Sequence, residues 1–136
     1  MNLVQAETAI VSLISQYKGT VEKQYIQYEN KPNSNGKPFV APKDKPWCRV
    51  SIQYADTQFA GFADKPKFRD FGLISIQCFV PKNSGTLTLM KICQEWRDLL
   101  EAHSVDSLEI YLVHAPQNID DDNFYGKIIR AEFRVN

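Results

Sequence analysis

The sequence predicts an α+β fold: an antiparallel or mixed β-sheet with an N-terminal helix and a second amphipathic helix packed on one of its faces. Two observations carry this. Two segments place apolar residues at helical spacing, near the start of the chain and after its middle. Several others alternate apolar and polar residues with a period of two, and their order (helix, strands, helix, strands) suits helices gathered on one side of a sheet.

The first helix is read from Leu3, Ala6, Ile10, Leu13, Ile14 and Tyr17, with Gln5, Glu7, Ser12 and Gln16 on the other side. Asn2 followed by Gln5 reads as a capping box, and Gly19 as a C-terminal stop. Residues 20–28 alternate without a clean apolar face and are read as an extended segment. Residues 29–46, with Pro32, Pro38, Pro42 and Pro46 among Asn, Lys, Gly and Asp, read as a long mobile loop.

Strand patterns follow. In residues 47–54, Cys48, Val50, Ile52 and Tyr54 alternate with Arg49, Ser51 and Gln53. In residues 70–80, Ile74, Ile76, Cys78 and Val80 alternate with Leu73, Ser75, Gln77 and Phe79. Residues 55–69 between them, with Gly61 and Pro66, read as an extended hairpin connection; Phe59, Phe62 and Phe68 are large apolar groups for an idle loop. After a break at residues 81–85, Leu89, Ile92, Cys93, Trp96, Leu99, Leu100 and His103 trace the stripe of the second helix. Lys91 with Glu95 and Arg97 with Glu101 are expected as ion pairs on its exposed side. Two strands close the fold, residues 107–114 and 127–135; in the latter Ile129, Ala131, Phe133 and Val135 face inward and Arg130, Glu132 and Arg134 outward. Residues 115–125 read as a polar turn, acidic at Asp120, Asp121 and Asp122.

At 136 residues the chain is read as one domain, long enough to bury a core without a metal or disulfide. Its 16 basic and 16 acidic residues balance, so no global field draws it to nucleic acid or an anionic membrane. No apolar run approaches the ~20 residues that span a bilayer, and the first residues lack the basic and apolar regions of a secretory signal. Three cysteines without CxxC spacing fit a reducing cytosol.

Candidate chemistry reduces to a few groups. Cys48, Cys78 and Cys93 lie on apolar faces and read as buried structural thiols; a thiol enzyme would require a thiolate beside a base. His103 and His114 lack metal-site spacing. Asp120, Asp121 and Asp122 lack the EF-hand pattern and read as a solvated loop tip. No phosphate loop, GxGxxG, GxSxG or HExxH occurs, so no catalytic residue, metal or cofactor is expected. Lys37, Phe39, Lys43, Lys45 and Trp47 come nearest to a basic and aromatic nucleic-acid patch, but Asp44 and the prolines interrupt them.

The order of the remaining motifs carries a resemblance. Pro46-Trp47-Cys48-Arg49-Val50 opens a strand, and Gly61 follows. Next comes the run from Arg69-Asp70-Phe71-Gly72 to Phe79-Val80-Pro81, then a turn with Gly85 and a helix with Ile92-Cys93 and Arg97-Asp98-Leu99-Leu100-Glu101. The chain resembles the tail terminator (tail completion) proteins of long-tailed bacteriophages and prophages, in which a Trp-x-Arg strand, an Arg-x-x-Gly strand ending in Phe-x-Pro and an amphipathic helix come in this order. It departs from them in the 29–46 loop and at Asn83-Ser84, where relatives carry more glycine.

The resemblance implies a structural protein and not an enzyme, assembled in the bacterial host cytoplasm and located in the virion. Six copies would form a ring capping the head-proximal end of the tail tube, ending tube polymerisation and facing the neck of the head. The implied partners are further copies of the chain, the tail tube protein and a head–tail connector, with DNA passing through the lumen unread. Arg49 and Arg69 match the motif arginines, either at an interface or in an intrasubunit pair. Phe59, Phe62 and Phe68 of the hairpin, with Lys37, Phe39, Lys43 and Lys45 of the loop, complete the candidate interface. Another neck or head-completion protein, a small cysteine enzyme and a nucleic-acid-binding module are the competing readings.

Overall fold

The computed structural model describes residues 1–32, 35–55, 58–61, 67–101 and 103–136, with backbone alone for 58–61 and 67–68. The α+β expectation holds. The elements are α1 (Leu3–Ile14), β1 (Ile26–Tyr28), β2 (Trp47–Tyr54), β3 (Gln58–Gly61), β4 (Lys67–Pro81), α2 (Leu87–Leu100), β5 (Ser104–Val105), β6 (Leu108–Val113), β7 (Gln117–Ile119) and β8 (Phe124–Val135).

The 15-residue β4 organises the sheet. One edge pairs antiparallel with β2 and the short β3, forming the expected long hairpin, and the other edge pairs antiparallel with β8 from Asp70 to Pro81. The strand order is β1-β2-β4-β8-β6-β5, with β7 also on β8. The sheet is mixed because β1 runs parallel to β2. That segment was expected to be extended throughout; it begins with a 3-10 turn at Lys23–Tyr25 before entering the sheet. Residues 115–125 are more than the expected turn, since β7 forms there along β8.

The predicted inward faces are buried except at the end of β2, where Ile52 is half-buried and Tyr54 is 41% exposed because the strand runs out past the core. Cys48, Val50, Ile74, Ile76, Cys78, Val80, Ile129, Ala131, Phe133 and Val135 join both helices in one core cluster. Ala55 N–H donates to Phe71 C=O, which fixes the alternation of the β2–β4 ladder. It makes Arg49 and Gln77 a hydrogen-bonded pair, and Cys48 and Cys78 a close pair without mutual backbone bonds.

α1 begins as expected. Asn2 Oδ1 accepts from Gln5 N–H at 2.8 Å, and Gln5 Oε1 accepts from Asn2 N–H at 2.9 Å. Ala6, Ile10, Leu13 and Ile14 are buried, whereas Leu3, counted on the apolar stripe, is 55% exposed because it lies in the first turn, at the rim of the core. The helix ends at Ser15 and not at Gly19.

Gly19 has a different task, visible only in tertiary contact. A Cβ there would sit 2.6 Å from a carboxylate oxygen of Glu95. Glu95 comes from α2 and accepts from the Tyr17 hydroxyl at 2.7 Å and from the Thr20 amide and hydroxyl at 3.0–3.2 Å. The Tyr17 ring stacks on Trp96 at 4.1 Å. Glu95 is therefore spent on this clasp and makes no ion pair with Lys91. Arg97 likewise reaches the Val113 carbonyl at 3.3 Å in place of Glu101. Among the described residues neither expected helix pair forms. His103 lies beyond the end of α2, its carbonyl accepting from the Ile110 amide. Among the described residues no helix is long and apolar enough to cross a membrane.

Two measurements follow from the clasp. Glu95→Ala leaves the Tyr17 hydroxyl and the Thr20 amide without their acceptor, and urea titration should show a loss of about 1–3 kcal/mol. Burial, and next the hydrogen bond to Glu95, push the Tyr17 phenol well above its ordinary pKa. The folded protein thus keeps a proton that an unfolded tyrosine releases from about pH 10. The stability from this group is complete below about pH 10 and is lost as the pH rises beyond it. Melting temperatures of Tyr17→Phe should fall less steeply above pH ~10 than those of the unsubstituted protein.

Candidate interaction surface

The face of the sheet away from the helices is mostly polar, but one end carries a second aromatic cluster outside the main core. Trp47 at the start of β2 stacks on Phe79 near the end of β4 at 4.4 Å and 19°, as their direct register pairing requires. Phe124 at the start of β8 meets Trp47 edge-on at 5.5 Å. Phe79 in turn pairs with Gly126, where a Cβ would lie 2.8 Å from its ring; this glycine lets the ring lie flat across β8. Phe39 of the 29–46 loop closes over Trp47 at 5.6 Å. Trp47 is only 3% exposed, and its indole Nε1 has no hydrogen-bond partner among the described residues.

Arg49 stands over this cluster, exposed to solvent. Its guanidinium lies 5.2 Å from the Trp47 ring centre and 5.8 Å from that of Phe79. Nε donates to Gln27 Oε1 at 3.2 Å and Nη1 to Gln77 Oε1 at 3.1 Å. These partners come from β1 and β4, so the arginine bridges three adjacent strands with no carboxylate neutralising it among the described residues. A guanidinium resting on aromatic rings, with no carboxylate beside it among the described residues, suits recognition of a carboxylate or phosphate.

The loop is tied to the sheet by more than Phe39. Glu29 Oε1 accepts from the Ile52 amide at 2.6 Å. Lys45 pairs with Glu22 at 3.3 Å, which raises its pKa, and lies over the Tyr25 ring. Lys37 and Lys43 are exposed.

The structure does not bring all the candidate residues together. Arg69 lies at the far end of β4, opposite Gln58. Eight residues separate it from Gln77, roughly 26 Å at about 3.3 Å per residue. Its Nε is buried without a partner among the described residues. Phe59 and Phe68 face each other across the β3–β4 ladder, but their side chains, like Phe62 altogether, fall outside the described residues. Arg49 and Phe39 thus meet in one cluster, whereas Arg69 lies at the opposite end of the same strand, and neither motif arginine has a carboxylate partner among the described residues. Sequence reasoning missed Phe79 and Phe124. The usable signal was an aromatic at Phe79 on the alternation face that also holds Leu73, Ser75 and Gln77.

The three thiols converge in the core from β2, β4 and α2, with Cys48 opposite Cys78. All are at most 1% exposed, and burial is the main force raising the Cys78 pKa. Among the described residues no cluster of His, Cys, Asp or Glu is arranged to hold a metal.

No family model matches the chain, and no curated protein does. A solved structure whose name states no activity superposes with a TM-score of 0.67, covering 98% of this chain and 93% of its own, at 13% identity. At that identity the likeness establishes a shared fold.

The cluster and the arginine above it should separate energetically. Phe79→Ala opens a cavity beneath Trp47 and should lower stability by about 3–5 kcal/mol in urea denaturation. Arg49→Ala removes an exposed cation–π contact and should change it by only about 0.5–1 kcal/mol. If the two losses are equal, Arg49 belongs to the packing of the fold and is not held in reserve for a partner.

Proposed function

We propose that this chain is a structural virion-assembly protein of the tail terminator kind. Copies of it form a ring, six in number by the resemblance, that caps the head-proximal end of a phage tail tube. The ring ends tube polymerisation and offers its other face to the connector or neck of the head, while DNA passes through the lumen without being read. The protein assembles in the bacterial host cytoplasm and resides in the virion; its work is contact and not catalysis.

The observation that best supports this reading is the meeting of the motif residues. Trp47 and Arg49 of the Trp-x-Arg strand and Phe79 of the Phe-x-Pro ending lie far apart in sequence, yet they form one cluster on the open face. A cap must present one fixed face to the end of a tube, and rigid aromatic anchors with an arginine are the residues that dominate such contacts. The 29–46 loop and the 55–69 hairpin flank the two ends of this face and are the proposed contact segments. Short strands with open edges allow a head-to-tail interface that closes when its rotation closes.

The test is electron microscopy of the protein mixed with tail tubes. A ring at one end of each tube, and arrested tube growth, is the expected result. Bare tube ends at saturating protein, with co-purification on heads alone, would reassign it as a neck or head-completion protein.

A further inference from the structure

One register row crosses the sheet from edge to edge. Gln27 of β1 lies beside Arg49 of β2, Arg49 opposite Gln77 of β4, Gln77 opposite Ile128 of β8, and Ile128 opposite Gln117 of β7. The row ends on both sides in a three-residue strand, β1 and β7, each paired on one side only among the described residues. Among the described residues both outer edges therefore carry backbone donors and acceptors open to another chain.

The two edges differ in charge. Against β1 lies a groove of about 600 Å³ lined by Lys23, Tyr25, Tyr28, Lys31, Phe39 and Val40. Neither Lys23 nor Lys31 has a carboxylate partner among the described residues; Lys31 rests over the Tyr28 ring. At the other edge, β7 runs directly into Asp120, Asp121 and Asp122. Asp121 Oδ2 is engaged by the Asn123 and Phe124 amides, which shapes the turn, while Asp120 and Asp122 are exposed. Lys82 reaches only the carbonyl oxygen of Asp122, so both exposed carboxylates lack a cation among the described residues.

We propose that the β1 edge of one copy receives β7 and the Asp120–Asp122 turn of a second copy, continuing the sheet from subunit to subunit. Strand direction suits this. β1 and β2 are parallel, and each later step to β4, β8 and β7 reverses direction, so β7 runs opposite to β1. In a ring whose axis follows the strands, directions are preserved from copy to copy. β7 of the second copy then lies antiparallel to β1, and its acidic end falls beside Lys23. The interface is heterologous, with different patches on its two sides, so it propagates and closes only as a ring. Three-residue edges give a weak single contact, and closure supplies the avidity. The inference rests on the ring reading above and names the surfaces that would join its subunits.

The test mixes heavy-isotope and light protein at high concentration with a carbodiimide, which joins only amines and carboxylates in direct contact. Heavy–light links between Lys23 and Asp120 or Asp122 are the expected result. Lys23→Glu, and separately Asp120→Lys with Asp122→Lys, should each reduce self-association by about tenfold or more, as like charges then face each other. Mixing the two variants in equal amounts should restore association in alternating copies, because every acidic edge then meets a basic one. Heavy–light links elsewhere, no links at all, or unchanged association of both variants would overturn the proposal. Tube-bound rings formed equally well by both variants would reject the edge pairing and leave the cap function standing. Edge pairing without tube binding would do the reverse.

Discussion

The ladder between β4 and its neighbours is the constraint on which the rest of the molecule depends. β4 is hydrogen-bonded along one edge to β2 and β3 and along the other to β8, so its register sets the register of both. Because side chains alternate, a slip of one residue would send Ile74, Ile76 and Cys78 to the polar face. It would also part Trp47 from Phe79 and Arg49 from Gln77. Core and surface cluster are therefore two readouts of a single alignment.

Each face of this sheet is organised differently. The inner face is closed by two helices, and the clasp from Glu95 to Tyr17 and Thr20 binds the segment after α1 to α2. That clasp positions the chain just before β1, so the location of the edge strand depends on a buried contact on the far side of the sheet. The outer face has no helix over it. Its densest hydrophobic cluster lies at one end, where the Trp47–Phe79 stack is shielded by Phe39 from the loop; toward the other end Phe71 meets Tyr111 edge-on at 6.4 Å. Between them lie glutamine, serine and paired charges such as Arg134 with Glu109 at 2.7 Å, with Leu73 and the buried Ile128 among them. A face of this kind exposes a smaller apolar area than a fully hydrophobic one would.

Much of the fold was legible from local pattern. The Asn2–Gln5 capping box, the stripe of α2 and the inward faces of β2, β4 and β8 follow from helical and strand periods, which are steric properties of neighbouring residues. Of the candidate surface, Arg49 and Phe39 were legible as residues, but their meeting was not. Periodicity says which way Arg49 points; it does not say that Gln27 and Gln77 stand on either side of it. Arg69 looked equivalent to Arg49 in sequence and lies in a different environment at the opposite end of β4.

The sequence by itself determined the class of the fold, the type of nearly every long element and the residues that make the core. Tertiary structure alone decided the parallel entry of β1, the strand at β7, the diversion of Glu95 from a helix pair to a clasp, and the gathering of Trp47, Phe79, Phe124 and Arg49. The physical reason is the range of the interactions. Periods of 3.6 and 2.0 are set by backbone geometry over a few residues, whereas register and strand neighbours are set by pairings between segments tens of residues apart.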